Sequence, residues 1–256
     1  MGRLLVDRRK FVSLAIAAMC ATQASAQSNR SPFREPFLTD AWLQDLTERF
    51  GRRPDSARRR ILFVGNSITL DHDIPGRVAA LARADGIELD VAMAAASGAR
   101  LRESANIKRL AQLLHDGAWD ILVLQDYTTT PFRSLDRDAS LTTMRELAAI
   151  SQARRVVLYP PWPRAPEHEF YASPKDNFDV RPTSPEAFAG ATMEFYQGVA
   201  QSSGFEVAPV PEAWLDAVAK GEPVYAADAY HASETGAALA AEVLWDRLRS
   251  VLSDIG

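Results

Sequence analysis

Two polar segments near opposite ends of the chain carry residue types that could act together as a nucleophile and its base. Ser67 closes a Gly-Asn-Ser segment just after the apolar run 61–64, and Asp228 and His231 stand three residues apart near the other end. A hydroxyl is a poor nucleophile until a base takes its proton, and an imidazole oriented by a carboxylate can do so near neutral pH. These residues are therefore candidates for a Ser-His-Asp triad.

Each candidate also has a plainer structural interpretation. A serine after a strand often caps the next helix, so Ser67 could serve only as a cap. His231, beside an aspartate and ahead of a helical pattern, could likewise belong to a capping arrangement. Of the other histidines, His72 lies near Ser67 in sequence and is a competing base, although two flanking aspartates indicate a solvated turn. His115 falls in an amphipathic helix and His168 in an irregular loop.

The elements that must position these residues follow a regular alternation. Short, mostly apolar runs, interpreted as strands, cover residues 61–64, 89–93, 119–124, 155–159 and 206–210. Helical patterns cover residues 75–84, 102–115, 135–149, 184–202 and 232–252. This alternation predicts an α/β fold, namely a three-layer α/β/α sandwich around a five-stranded parallel sheet. In such a fold the ligand site lies at the carboxyl ends of the strands.

The first 26 residues are typical of an export signal. Arg8 and Arg9 precede a mostly apolar run at 11–21, and small residues that end at Ala26 form a cleavage pattern. The paired arginines resemble a twin-arginine signal. Because the run is shorter than the roughly 20 residues that a bilayer requires, we expect no stable membrane anchor. The sequence thus predicts cleavage after Ala26 and export to a bacterial periplasm or to the medium.

The remainder of the chain is expected to form a lead-in segment and one domain. Residues 27–59 are interpreted as the lead-in, with one short helix at 41–50 that Asp40 would cap. Residues 60–256 are interpreted as the domain. The chain has 256 residues, 47% of them hydrophobic, which is enough for one sizeable core.

Composition and motifs exclude several classes of function. Without residues 1–26 the chain keeps 25 basic and 32 acidic residues, a net charge of −7, which argues against nucleic-acid binding. Its single cysteine, Cys20, lies in the export signal, so the remainder has no disulfide and no thiol nucleophile. No phosphate-binding glycine loop is present, and the spacing His231-x-x-Glu234 lacks a second histidine cluster. We expect neither a cofactor nor a metal, and the sequence does not indicate an oligomeric state.

Four segments together resemble the conserved blocks of the SGNH (GDSL-like) hydrolases. The Gly-Asn-Ser segment that ends at Ser67 stands where that family usually has Gly-Asp-Ser, and Asp-x-x-His, ending at His231, resembles its last block. Segment 96–99 resembles the glycine block, and segment 124–126, Leu-Gln-Asp, stands where the family usually has Gly-x-Asn-Asp. The resemblance covers about residues 60–256 and is strongest to a less characterised subgroup that opens with Gly-Asn-Ser.

The resemblance implies the flavodoxin-like fold of the SGNH hydrolases and a serine hydrolase in which each of these residues has a role. Ser67 would be the nucleophile, with His231 as its base and Asp228 as the carboxylate that orients the imidazole. The oxyanion hole would consist of the N–H groups of Ser67 and Gly98 and the side-chain amide of Gln125. Glutamine replaces the asparagine usual in the family, and its longer stem would require the backbone to sit slightly farther back.

Further residues are candidate substrate contacts. They are Asn66, Asp126, Tyr127 and Trp162, and the aromatic residues Phe170, Tyr171 and Trp214 could also stack on a sugar or an acyl group. Trp162 and Trp214 could equally pack against the sheet edges. The proline-rich stretch 160–183 is interpreted as a lid or a substrate-selecting loop.

The expected activity is cleavage of carboxylic esters through an acyl-enzyme. The expected partner is a small-molecule or glycan ester, and acetyl esters of carbohydrates are favoured because the chain is acidic, exported and carries aromatic residues in a polar loop. Two alternatives remain: a lipid or thioester hydrolase of the same fold, and a non-catalytic envelope module that binds a glycan.

Overall fold

A computed structural model of the chain describes residues 36–51, 58–172 and 178–255. The predicted export signal, its cleavage site and the paired arginines lie outside the described residues. Within those ranges, none of the helices combines the length and the apolar character that crossing a bilayer requires.

A parallel sheet forms the centre of the molecule. Its strands are β1 (Arg59–Gly65), β2 (Leu89–Ala95), β3 (Ile121–Leu124), β4 (Arg155–Leu158) and β5 (Glu206–Val207). The strand order is β2-β1-β3-β4-β5, and each neighbouring pair is parallel. This is the doubly wound order in which the direction of winding changes between β1 and β3, and a crevice forms there at the carboxyl ends of the strands.

Helices cover both faces of the sheet. The α-helices of the described residues are α1 (Asp40–Phe50), α2 (Ser67–Leu70), α3 (Ile74–Ala84), α4 (Leu101–Ala105), α5 (Lys108–Asp116), α6 (Ser134–Ser151), α7 (Pro185–Ser203), α8 (Val210–Ala219) and α9 (Glu234–Asp254). Short 3₁₀ helices cover Pro36–Leu38, Asp71–Asp73, Thr130–Phe132 and Glu169–Tyr171.

Two hydrophobic layers, one on each face of the sheet, hold these elements together. Successive side chains of a strand point to opposite faces, and in β1 Ile61 and Phe63 pack with α3, α8 and α9. Leu62 and Val64 pack on the other face with α1, α5, α6 and α7. All four side chains are fully buried. The predicted α/β/α sandwich with a five-stranded parallel sheet is therefore confirmed.

Several predicted element boundaries were wrong. The helix predicted at 102–115 is two helices, α4 and α5, because Ile107 adopts an extended conformation (φ −85°, ψ 109°) between them and buries its side chain. The strand predicted at 206–210 ends at Val207. Pro209 has no N–H to donate to a strand ladder, and Pro211 favours a helix start, so α8 begins at Val210.

The lead-in helix also begins differently from the prediction. The predicted N-cap, Asp40, is the first helical residue of α1, and the preceding Thr39 is the cap. Its hydroxyl accepts a hydrogen bond from the backbone N–H of Trp42 at 3.3 Å. The indole N–H of Trp42 donates to the carbonyl of Met93 at 2.8 Å, so α1 is attached to the edge strand β2.

Candidate active site

The turn after β1 presents Ser67 at the start of a short helix. Asn66, in extended conformation, is the N-cap of α2, and its side-chain oxygen accepts from the N–H of Ile68 at 3.1 Å. Ser67 is then the first helical residue and not the cap. Its own N–H has no acceptor within the helix, because the first N–H groups of a helix lack partners there.

Gln125 holds this turn from the end of the neighbouring strand β3. Its amide oxygen accepts from the N–H of Asn66 at 2.9 Å and from the hydroxyl of Thr69 at 3.0 Å. The turn needs glycine at position 65, since a Cβ on Gly65 would lie 2.7 Å from that amide oxygen and 2.3 Å from the Thr69 hydroxyl. The Gln125 amide nitrogen donates to the carbonyl of Asp126. The amide thus has partners at both ends, and its role in an oxyanion hole remains a prediction.

The structure brings together the three residues predicted to form a triad. His231 Nε2 lies 3.2 Å from Ser67 Oγ, and His231 Nδ1 lies 2.6 Å from Asp228 Oδ2. The other carboxylate oxygen of Asp228 accepts from the backbone N–H groups of Tyr230 at 3.0 Å and His231 at 2.9 Å. With a proton on Nδ1 facing Asp228, Nε2 is free to accept the Ser67 proton.

Hydrogen bonds keep Asp228 ionised. Partial burial alone would raise its pKa, but the bond from the His231 ring and the bonds from two backbone N–H groups outweigh burial and hold the pKa below its ordinary value. A carboxylate that remains charged can orient the imidazole and stabilise it after it takes a proton.

The loop that carries His231 is tied to the core through its backbone. Ala226 donates to the carbonyl of His231 at 2.9 Å, and Ser233 donates to the carbonyl of Val224 at 2.9 Å. Ala229, at the tip, has a positive φ of 59°. The Tyr230 hydroxyl reaches across to Thr128, beyond the end of β3, at 3.2 Å. These contacts fix His231 with respect to the strand ends.

His72, the competing base, has other partners. Its ring nitrogens lie 3.1 Å from a carboxylate oxygen of Glu234 and 3.1 Å from the carbonyl of Ala232. Arg77 also pairs with Glu234. The contacts of His72 and Arg77 with Glu234 join the segment after Ser67 to the start of α9. Glu234 follows His231 by three residues. Glu234, noted in the sequence for its spacing from His231, thus pairs with His72 and Arg77.

The other predicted oxyanion donor lies in the turn after β2. Gly98 is exposed, with a φ of 71° that favours glycine. The side-chain amide of Asn66 donates to the carbonyl of Ala99 at 3.1 Å, which attaches this turn to the turn of Ser67. Gly98 therefore belongs to the same edge of the sheet, and its donor role remains a prediction.

Three of the four predicted substrate contacts are internal instead. Asn66, Asp126 and Trp162 are 2%, 3% and 1% exposed. Asp126 accepts from the N–H of Leu101 at 2.9 Å, and the Trp162 ring stacks on that of Trp214 at 4.3 Å. These side chains satisfy internal hydrogen bonds or fill the core, and the packing interpretation of the two tryptophans agrees with the structure. Contact of Asn66, Asp126 and Trp162 with a substrate stays a prediction.

Tyr127, the fourth predicted contact, is half-buried beside the strand ends. The guanidinium of Arg100 lies over its ring at 4.4 Å and pairs with Asp136 at 3.0 Å. Phe170 is buried, in contact with Phe132 and Phe188. Tyr127 remains a predicted substrate contact.

The described parts of the proline-rich stretch pack directly on the His231 loop. Trp162 donates from its indole to the carbonyl of Tyr230 at 2.9 Å, and the Ala165 N–H donates to the carbonyl of Ala229 at 2.9 Å. Sequence reasoning missed two residues here: Tyr230, whose ring lies 4.4 Å from that of His231, and Arg164, whose guanidinium lies over Tyr230 at 4.6 Å. Neither belongs to a recognisable motif, and only their proximity in the fold reveals them.

No cluster of three or more His, Cys, Asp or Glu side chains suited to a metal ion occurs in residues 36–51, 58–172 and 178–255. The histidines and acids of the site are instead engaged with one another or with Arg77.

Comparison with known proteins gives matches to solved structures, whereas no protein-family sequence model and no curated protein sequence matches. A protein from Slackia heliotrinireducens assigned to the SGNH hydrolases is 28% identical with a TM-score of 0.62, covering 75% of this chain and 99% of that one. A lipase/acylhydrolase from Enterococcus faecalis is 18% identical with a TM-score of 0.58, covering 75% and 96%. Axe2, an acetylxylan esterase from Geobacillus stearothermophilus, is 16% identical with a TM-score of 0.56, covering 75% and 94%.

Each of these structures shares the fold of this chain, with a TM-score between 0.56 and 0.62. The match at 28% identity spans nearly the whole of an SGNH hydrolase. The chain belongs to the SGNH hydrolase superfamily.

Proposed function

We propose that the chain is a serine esterase that works through an acyl-enzyme on Ser67. One observation carries the proposal: a single imidazole, that of His231, lies within hydrogen-bond distance of both a serine hydroxyl, at 3.2 Å, and a carboxylate, at 2.6 Å. This is the arrangement that activates a hydroxyl for attack on a carbonyl.

The proposed reaction has two halves. In the first, Ser67 Oγ forms a bond to the ester carbonyl carbon while His231 takes the hydroxyl proton, and the proton then goes to the departing alcohol as its C–O bond breaks. In the second, water attacks the acyl group, His231 takes the water proton, and Ser67 regains a proton as the acid is released. Asp228 stays ionised throughout and stabilises the charged imidazole.

Negative charge on the carbonyl oxygen needs donors at the strand ends. The N–H of Ser67 has no acceptor inside α2, which makes it available. We propose the N–H of Gly98 as the second donor, on the ground that the Asn66 side chain attaches its turn to that of Ser67. Gln125 would contribute chiefly by holding the turn, because its amide oxygen is occupied by Asn66 and Thr69.

We propose acetyl and other short-chain esters of carbohydrates as substrates. The exposed large hydrophobic side chains of the described residues are Leu135 and Val180, neither of them in the triad loops, so an apolar surface for a long acyl chain is not evident there. One protein of similar fold, Axe2, is named as an acetylxylan esterase, which adds support.

Nitrophenyl esters of increasing chain length test this proposal. We expect the highest kcat/KM with acetate and a steady decline toward long chains, and no turnover in Ser67→Ala. Ser253→Ala, at an exposed serine near the end of α9, is the control and should keep wild-type activity. A long-chain optimum would contradict the substrate class, and wild-type activity in Ser67→Ala would contradict the nucleophile.

We further propose that the protein is exported, on the basis of residues 1–26 of the sequence. Cell fractionation of the full chain in a bacterial host should place a shortened form outside the cytoplasm. Replacement of Arg8 and Arg9 by lysine should retain it inside if export uses the twin-arginine route. Retention of the wild-type chain in the cytoplasm at full length would contradict export.

A further inference from the structure

One cation lies beside the triad without a carboxylate partner. The guanidinium of Arg164 is held between two aromatic rings, 4.3 Å from the centroid of Phe170 and 4.6 Å from that of Tyr230. No ion pair of the described residues involves it, and its Nε atom is buried without a hydrogen-bond partner among them. The side chain as a whole is half-buried. Because Nε is enclosed, the terminal N–H groups of this half-buried side chain are the donors that can meet a ligand.

Three other arginines at this edge of the sheet are paired with carboxylates. Arg77 pairs with Glu234 at the start of α9, and Arg100 pairs with Asp136 at 3.0 Å. Arg102 shares Asp136 at 3.0 Å. Arg164 is distinguished from them by its lack of an acidic partner and by its place next to the His231 loop.

Arg164 is built into the site through its backbone as well. The Tyr171 hydroxyl donates to the Arg164 carbonyl at 2.9 Å, and the next residue, Ala165, donates to the carbonyl of Ala229 at 2.9 Å. Tyr230 contacts both the guanidinium and the triad, because its ring lies 4.4 Å from that of His231. The cation is therefore held one aromatic ring away from the imidazole that faces the nucleophile.

The charged groups around Arg164 do not neutralise it and therefore permit an anion to bind there. Burial and the neighbouring Arg164 lower the pKa of His168, on the same loop. Glu167 and Glu169 are exposed, so solvent and salt screen their charges. Asp228 already accepts three hydrogen bonds from the His231 loop.

We propose that Arg164 binds an anionic group, a carboxylate or a phosphate, on the alcohol portion of the ester. The inference rests on the proposed esterase function and narrows its substrate class to acidic esters, of which acetylated acidic glycans are the polymeric case. The planar guanidinium matches both anions with two parallel hydrogen bonds. The anion belongs to the alcohol portion, because the proposed acyl group is too small to carry it.

Two aryl acetates of nearly equal shape test the inference. 4-Acetoxybenzoate carries a carboxylate and 4-acetoxybenzamide a neutral amide, so their kcat/KM ratio measures the anion preference. We expect wild type to favour the benzoate by about 10- to 100-fold, the range typical of a hydrogen bond to a charged group. The preference should lie mainly in KM, and Arg164→Gln should abolish it. 4-Acetoxyphenyl phosphate, in a further arm, shows whether phosphate or carboxylate is preferred.

Matched variants separate the anion site from a general effect of charge. Arg181→Gln removes a cation from the same loop, where Arg181 donates to the Phe170 carbonyl at 2.8 Å, and it should keep the wild-type preference. Arg164→Lys keeps the charge and should retain part of it. The kcat/KM ratio of the two esters in the wild-type protein tests the anion site even if Arg164→Gln does not fold. Equal kcat/KM for the two esters overturns the inference and leaves the esterase proposal intact.

A result with no turnover at all still tests the site. In that case calorimetry compares the binding of 4-hydroxybenzoate with that of 4-hydroxybenzamide to the full chain. Tighter binding of the benzoate that Arg164→Gln removes supports the anion site while the esterase proposal fails. Equal binding, or no measurable binding of the benzoate, overturns the anion site.

Discussion

Replacement of Gln125 by alanine separates its two candidate roles. In the structure its amide oxygen is the acceptor for the Asn66 N–H at 2.9 Å and the Thr69 hydroxyl at 3.0 Å. Asn66 and Thr69 are 2% and 1% exposed, so water cannot readily replace the lost acceptor. A buried donor left without a partner costs about 1–3 kcal/mol. With two such donors, Gln125→Ala should lower the free energy of unfolding by about 2–6 kcal/mol.

An oxyanion role predicts a different result. Loss of one oxyanion donor lowers kcat by about 10²- to 10³-fold and need not change stability. Urea unfolding followed by tryptophan fluorescence, together with kcat for a nitrophenyl acetate, therefore distinguishes the roles. Thr69→Val is the matched control: it removes one donor and leaves the Asn66 bond, so we expect a loss of about 0.5–1.5 kcal/mol. A Gln125→Ala protein as stable as wild type to within about 0.5 kcal/mol would refute the structural role.

Three further predictions concern the triad and the core beside it. Asp228→Asn should keep the fold but lower kcat for a nitrophenyl acetate by about 10⁴-fold, because the amide favours the wrong imidazole tautomer; a loss below tenfold would contradict the role of Asp228. The lowered pKa of Asp228 means that its contribution to stability is complete above about pH 4, the ordinary range of an aspartate, and is lost as the pH falls through the lowered pKa of the folded state. Urea unfolding across this range should accordingly show a weaker acid dependence in Asp228→Asn than in wild type, and identical slopes would contradict the pKa shift. Trp162→Ala should cost about 3–5 kcal/mol of unfolding free energy, since Trp162 is 1% exposed and stacked on Trp214; a loss below about 1 kcal/mol would favour a surface role in substrate contact instead.

The sheet and the meeting of the two polar segments were predictable because both depend on short-range patterns. A strand buried on both faces must be apolar throughout, as 61–64 is, and parallel strands place their carboxyl ends at one edge. Ser67, at the end of the first strand, and His231, ahead of the last helix, were therefore expected to lie near each other. The 3.2 Å between their side chains agrees with that expectation.

What could not be predicted depends on partners distant in sequence. Gln125 was interpreted as an oxyanion donor because of its place in a motif, yet its amide turns toward Asn66, 59 positions away. For Trp162 the sequence left open a substrate contact or packing at a sheet edge, and its ring lies in the core, stacked on that of Trp214. The helix α8 was missed because its apolar start, at Val210, reads as the continuation of a strand until the prolines on either side are taken into account.

Covalent labelling tests the central claim, that His231 activates Ser67. A fluorophosphonate should form one adduct, on the peptide that contains Ser67, and intact-mass spectrometry should show its rate of formation fall by at least about 10³-fold in His231→Ala, where the serine has lost its base. The Ser253→Ala control should be labelled at the wild-type rate. An adduct on another serine, or labelling of Ser67 at an unchanged rate in His231→Ala, would contradict the account.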